Sequence, residues 1–198
     1  RVYDYNGSAW VQVGVDIDGE AAGDSSGNGL ALSSDGSIVA IGARNNDGNG
    51  DNSGHVRIFQ YQVISGTATW TQLGQDIDGE AAGDRSGKEV FLSSDGSRVA
   101  ISSSLNDGNG NSSGHVRIYD YNGSAWVQVG TDIDGEAAGD LSGNGMSLSS
   151  DGSRVAIGAR NNDGANGADS GHVRVYSISS GESYQYTWDI DSGSTPPD

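Results

Sequence analysis

The feature that most constrains this chain is that it repeats itself. Asp16-Ile-Asp-Gly-Glu-Ala-Ala-Gly-Asp24 recurs from Asp76 and again from Asp132. Ser33-Ser-Asp-Gly-Ser37 returns as Ser93–Ser97 and Ser149–Ser153, and Ser53-Gly-His-Val-Arg57 returns from Ser113 and from Ser170. Arg1–Trp10 matches Arg117–Trp126 almost letter for letter. Self-similarity at this period means that each unit is one small assembly that cannot bury its apolar faces alone and must stack on its neighbours. The unit lengths differ only where a loop can absorb it: the stretch from Arg57 to Trp70 is longer than that from Arg117 to Trp126, and Ala159 to His172 is longer than Ala43 to His55.

Within each unit the apolar residues alternate with period two, the signature of strands. Four short strands are predicted per unit, near Leu30–Leu32, Ile38–Ala43, His55–Tyr61 and Trp70–Leu73 in the first complete one. Asp35-Gly36 and Asn6-Gly7 are expected to form two-residue hairpin turns, both centres at positive φ. Helix signals are absent, and 33 of the 198 residues are glycine. Four-stranded antiparallel units at this spacing read as blades, so the predicted fold is an all-β β-propeller. Residues 1–190 would supply about three and a half blades: a half blade over 1–14, full blades over 28–74, 86–130 and 142–188, then a linker or tail over 191–198. A propeller must close on itself. The chain is therefore expected to be an excerpt of a seven-bladed ring or longer array, or else to close as a homodimer.

Gly23-Asp-x-Ser-Gly27, then Leu-Ala-Leu-Ser-Ser-Asp-Gly, Val39-Ala-Ile-Gly-Ala43 and Ser-Gly-His-Val-Arg-Ile-Phe59 resemble the FG-GAP repeat, over almost the whole chain. The resemblance implies an integrin-alpha-type propeller of the kind found in bacterial and marine surface proteins. The family's Phe before glycine is Ser26, Ser86 and Ser142 here. Its calcium loop, Asp-x-Asp-x-Asp-Gly between the first two strands, is replaced by the short Ser-Ser-Asp-Gly-Ser turn, so those family ligands have no counterparts in that turn.

Charge narrows the choice of function. Lys and Arg number 10 against 27 Asp and Glu, a net charge of −17. Nothing basic is available in quantity to displace counterions from phosphates, which argues against nucleic acid. No apolar run approaches a membrane span, so no membrane insertion is expected. Without cysteine there is no disulfide, thiol nucleophile or thiolate site. Strand order places most of the acids on one rim. Asp16, Asp18, Glu20 and Asp24 recur there as Asp76, Asp78, Glu80 and Asp84 and as Asp132, Asp134, Glu136 and Asp140. The loops after the second strands add Asp47, Asn49, Asp51, Asp107, Asn109, Asp163 and Asp169. Two readings of these loops stand side by side. Hard oxygen donors on glycine-flexed turns suit Ca²⁺; alternatively the carboxylates cap local backbone N–H groups or form a solvated face.

His55, His115 and His172 hold one repeated position. One per blade, they are too far apart to share an ion with each other, and each is expected to bond a neighbouring loop. Arg44 and Arg160 are expected to pair with acids of the rim. Trp10, Trp70, Trp126 and Trp188 are expected to pack between blades, with sugar stacking as the alternative. Every notable polar residue recurs from unit to unit, which suits scaffolding or repeated weak contacts rather than an active site. The expected function is a non-enzymatic, extracellular or cell-surface module of a surface, adhesive or filament-forming protein, stabilised by calcium on the metal reading of its loops. Its partners would be protein or glycan surface ligands or copies of itself, and a lectin-like propeller with one shallow site per blade is the alternative.

Overall fold

The computed structural model describes residues 1–178 and the strand Gln185–Asp189. The expected linker over 191–198 and part of the last blade lie outside the described residues. What is described is all-β and antiparallel. A two-stranded hairpin joins β1 (Tyr3–Tyr5) to β2 (Trp10–Gln12). The first full sheet runs β3 (Ser26–Leu32), β4 (Ile38–Ala43), β5 (His55–Ile64) and β6 (Thr67–Gln72) in order, with β7 (Ile77–Asp78) added beside β5. The second comprises β8 (Val90–Leu92), β9 (Arg98–Ser103), β10 (His115–Tyr121) and β11 (Trp126–Gln128), with β12 (Ile133–Asp134) beside β10. The third comprises β13 (Ser142–Leu148), β14 (Arg154–Ala159), β15 (His172–Ser177) and β16 (Gln185–Asp189). Among the described residues no helix is long and apolar enough to cross a membrane.

The sheets stack face to face, which is why the second strand of a unit is apolar on both sides. Along β4, Val39 and Ile41 pack with Phe59 and Trp70 toward Val2 and Ile17. Ile38 and Ala40 face the other way, beside Val56 and Ile58 of the same sheet, and join Val90, Val99, Ile101 and Trp126 of the next. Ala100, Val116 and Ile118 repeat the pattern toward Val155 and Ile157. A period of two with both faces covered buries β4 along its whole length. At roughly 25 cal/mol per Å² of apolar surface removed from water, these interlayers supply most of the cohesion between units.

Backbone bonds tie the units at both ends. On one side Ser86 N donates to Ser53 O (2.9 Å) and Gly79 N to Gly54 O (2.7 Å), and the next pair of units copies this with Ser142 to Ser113 and Gly135 to Gly114. On the other, Ser34 N donates to Ser94 O and Ser94 N to Ser150 O. Two expectations about local structure are corrected. Only Gly36 and Gly7 take positive φ, not Asp35 or Asn6. Each side chain instead accepts from the loop beyond it: Asp35 Oδ1 from Ser37 N, and Asn6 Oδ1 from Ser8 N and Ala9 N. That widens the turn past two residues. The extra residues after Arg57 lengthen both strands of one hairpin, β5 and β6, rather than looping out, and Ser65-Gly66 turns it with φ of 52° and 81°.

Candidate metal centres between units

β7 and β12 place the acids. Asp78 pairs with His55 in register and Asp134 pairs with His115, so the Asp-Ile-Asp segment is drawn against the start of the third strand. Ile77 and Ile133 anchor it, each 4 % exposed. The glutamate comes from the preceding connection, held by the third-strand arginine: Arg57 Nη2 donates to Asp18 O and Arg117 Nη2 to Asp78 O.

His55 and His115 consequently face carboxylates from both flanking connections, and His172 faces one from the connection before it. His55 Nδ1 lies 3.7 Å from Glu20 Oε2 and 3.8 Å from Asp76 Oδ2. His115 Nδ1 lies 3.7 Å from Glu80 Oε2, 3.8 Å from Asp132 Oδ2 and 4.0 Å from Asp134 Oδ1. His172 Nδ1 stands 3.5 Å from Glu136 Oε2. These separations are too long for good hydrogen bonds. His55 and His115 are each 1 % exposed. Both ring nitrogens of His115, and Nε2 of His55 and His172, are buried without a hydrogen-bond partner. In place of the expected bond to a neighbouring loop, each imidazole turns Nδ1 toward carboxylates and keeps Nε2 buried without a partner.

The acids are oriented for this. Asp76 Oδ1 accepts from Gln72 Nε2 and Asp132 Oδ1 from Gln128 Nε2, leaving Oδ2 toward the ring. Glu20 Oε1 and Glu80 Oε1 face Arg57 and Arg117, while each Oε2 lies toward the ring and also accepts a long bond from Asn46 or Asn106 Nδ2, at 3.5 and 3.4 Å. Around a tetrahedral ion with bonds of about 2.1 Å, neighbouring ligand atoms stand about 3.4 Å apart. Within each trio, Glu20–His55–Asp76 and Glu80–His115–Asp132, the donor atoms lie within 4.8 Å of one another. Each trio could thus hold a metal ion after small side-chain shifts. At Asp16, which keeps the matching Gln12 bond, the Arg1 guanidinium takes Oδ2 at 2.8 Å.

Electrostatics agree with the geometry. Burial raises the carboxyl of Glu80, with Asp132 adding to it, and burial raises Asp78 and Asp134 beside Asp76 and Asp132. Burial first and the Arg117 guanidinium second push His115 down to about 4. It is neutral at neutral pH, the form that ligates a metal.

The other sequence candidates lie in turns. Asp24, Asp84 and Asp140 are buried and accept from Ala21, Ala81 and Ala137 N and from Asn46, Asn106 and Asn162 Nδ2. Asp47, Asp107 and Asp163 accept from Asn52, Ser112 and Asp169 N. Asp51 Oδ1 accepts from Asn52 Nδ2. Asn49 Nδ2 donates to the carbonyls of Gly79 and Glu80, and Asn109 Nδ2 to those of Gly135 and Glu136, so these two clamp adjacent units. Sequence reasoning missed the histidines as ligands. The available signal was that His55 and His115 each lie between two copies of the Asp-Ile-Asp-Gly-Glu segment, which repeats with them.

Neither a protein family's profile nor any curated protein matches the chain. Among solved structures, it is similar to that of a hypothetical selenium-binding protein from Sulfolobus tokodaii, at 12 % identity and a TM-score of 0.48, over 82 % of this chain and 41 % of that one. The chain thus spans less than half the length of that protein.

Proposed function

We propose that the chain is a non-enzymatic β-propeller module of an extracellular surface, adhesive or filament-forming protein, with divalent cations cementing successive blades. The observation that carries this is that the same polar cluster recurs between sheets, each drawing ligands from two connections and one strand. Repetition of this kind suits cohesion and multivalent contact rather than turnover. The curl of the stack into a propeller, and its likeness to FG-GAP repeats, are supported by four-stranded antiparallel units packed on both faces. Calcium is the ion for oxygen-only positions on the acidic rim. The imidazole-bearing trios suit a borderline ion such as zinc.

Copies of the chain, or further blades, are the partners that fit an open groove of about 500 Å³ beside β1, where Leu30 and Leu32 are exposed. The glycan reading needs exposed aromatic faces. Trp70 and Trp126 are buried, their indole N–H groups donating to Val13 O and Leu73 O, while Tyr5 and Trp10 are exposed.

The test is thermal unfolding of metal-free protein titrated with Zn²⁺, Mn²⁺ and Ca²⁺, beside His55→Gln and His115→Gln. A saturable rise in Tm for the native chain, diminished stepwise in the single and double variants, is expected. If no divalent ion shifts Tm in the native chain, the clusters are packing features and the cation-cemented reading fails.

A further inference from the structure

The repeat breaks at one place, and there the molecule gathers positive charge. Where the outer units carry Ser25 and Leu141, the middle one has Arg85; where they carry Asn28 and Asn144, it has Lys88; where they carry Arg44 and Arg160, it has Ser104. In the fold these exchanges meet. Arg44, Arg85, Lys88 and Arg160 line a single cavity of about 140 Å³ together with Ser104 and Asn144. Four of the chain's 10 basic residues thus converge in a molecule of net charge −17. The sequence expectation that every notable polar group recurs in each unit is corrected here, as is the pairing of Arg44 and Arg160 with the acidic rim. Among the described residues no carboxylate forms an ion pair with any of the four.

Like charges do not gather without cause. Burial first and then the charge of Arg160 push the Lys88 ammonium down; Glu89 opposes them, and Arg44 and Arg85 add smaller pushes in the same direction as Arg160. Arg44 Nε is buried and has no hydrogen-bond partner. An unpartnered buried guanidinium N–H loses the hydrogen bond that water would give it. Both costs vanish if an anion occupies the cavity. Its volume of about 140 Å³ leaves room for one compact ion.

We propose that this cavity binds a small multivalent oxyanion of the phosphate or sulfate type, held by Arg44, Arg85, Lys88 and Arg160 with Ser104 and Asn144 as neutral donors. Guanidinium groups present paired N–H donors to such oxygens, and the lysine adds a point charge. The site is independent of the metal trios, which use none of these residues.

The experiment measures Tm and binding heat for the chain, without added divalent ions, in chloride and in inorganic phosphate or sulfate at equal ionic strength. Lys88→Gln and Arg44→Gln are run beside it, and a sugar phosphate tests whether the anion is taken free or as an ester. The expected result is a reversal of order. In chloride, Lys88→Gln melts above the native chain because repulsion is relieved. In 10 mM phosphate the native chain melts higher, with a saturable heat for one site that falls at least tenfold in affinity in either variant. Phosphate is also excluded from protein surfaces and stabilises all variants alike, so only the difference between native and variant counts. Equal shifts in native and variant proteins, or no saturable heat, would overturn the proposal.

Discussion

Asp35 is exposed, yet its carboxyl is held at about 2, chiefly by the Ser37 backbone N–H and then by the hydroxyls of Ser33 and Ser37. Asp151 is held at about 2 as well, with the Ser149 hydroxyl foremost, and Asp95 is lowered by Ser93 in the same way. A depressed carboxyl favours the folded state wherever it is ionised. The benefit is complete above the ordinary carboxylate value near 3.9 and disappears as pH falls toward about 2. We therefore expect Tm to drop across that window, and the drop to shrink in the triple variant Asp35→Asn, Asp95→Asn, Asp151→Asn. An unchanged acid limb in the triple variant would show that these turns do not govern acid stability. Although Asp35 accepts from Ser37 instead of taking the expected positive φ, the positions of these turns were legible in Ser-Ser-Asp-Gly-Ser. The trios were not. Glu20 and Asp76 lie on opposite sides of His55 along the chain, and only the stacking of sheets brings them onto one imidazole.

At the scale of elements, the close approach of successive sheets depends on having no side chain at particular strand positions. A Cβ on Gly42 would fall on the Gly87 carbonyl of the next sheet. Gly158 holds the same place in the third unit, where a Cβ would meet only Gly145 O at 3.4 Å, an ordinary contact. Neither glycine has positive φ, so the difference isolates packing from backbone conformation. Gly42→Ala is expected to cost 1–3 kcal/mol or more by overpacking. Gly158→Ala should be neutral or slightly stabilising, since alanine lowers the entropy of the unfolded chain. Denaturant midpoints of the two variants check this, and equal losses would mean that sheet spacing is not set at Gly42. The main strands were readable because their alternation extends over several residues, as in Val39-Ala-Ile41. β7 and β12 were not, because two residues carry no period. They form only because His55 and Val56, and likewise His115 and Val116, offer an edge to pair with.

For the whole molecule, a charge of −17 and a predicted isoelectric point near 4.1 set the conditions under which the stack holds. The acids are concentrated in the connections and loops of one rim, and this same rim carries the inter-unit backbone bonds of Ser86 with Ser53 and Ser142 with Ser113. Repulsion along it therefore acts directly across the joints between units rather than being spread over the surface. Screening removes it: the Debye length falls from about 30 Å at 0.01 M salt to about 3 Å at 1 M. Tm is thus expected to climb steadily as NaCl rises from 10 mM to 500 mM. One kcal/mol corresponds to about 2–4 °C at this size, so a climb of several degrees needs only a few weakened contacts. Divalent ions that occupy the trios should do the same at far lower concentration, because they neutralise charge at the joint itself. A Tm indifferent to NaCl would mean that the turn caps and the arginines of the third strands already balance the rim, and that its acidity serves a partner rather than the fold.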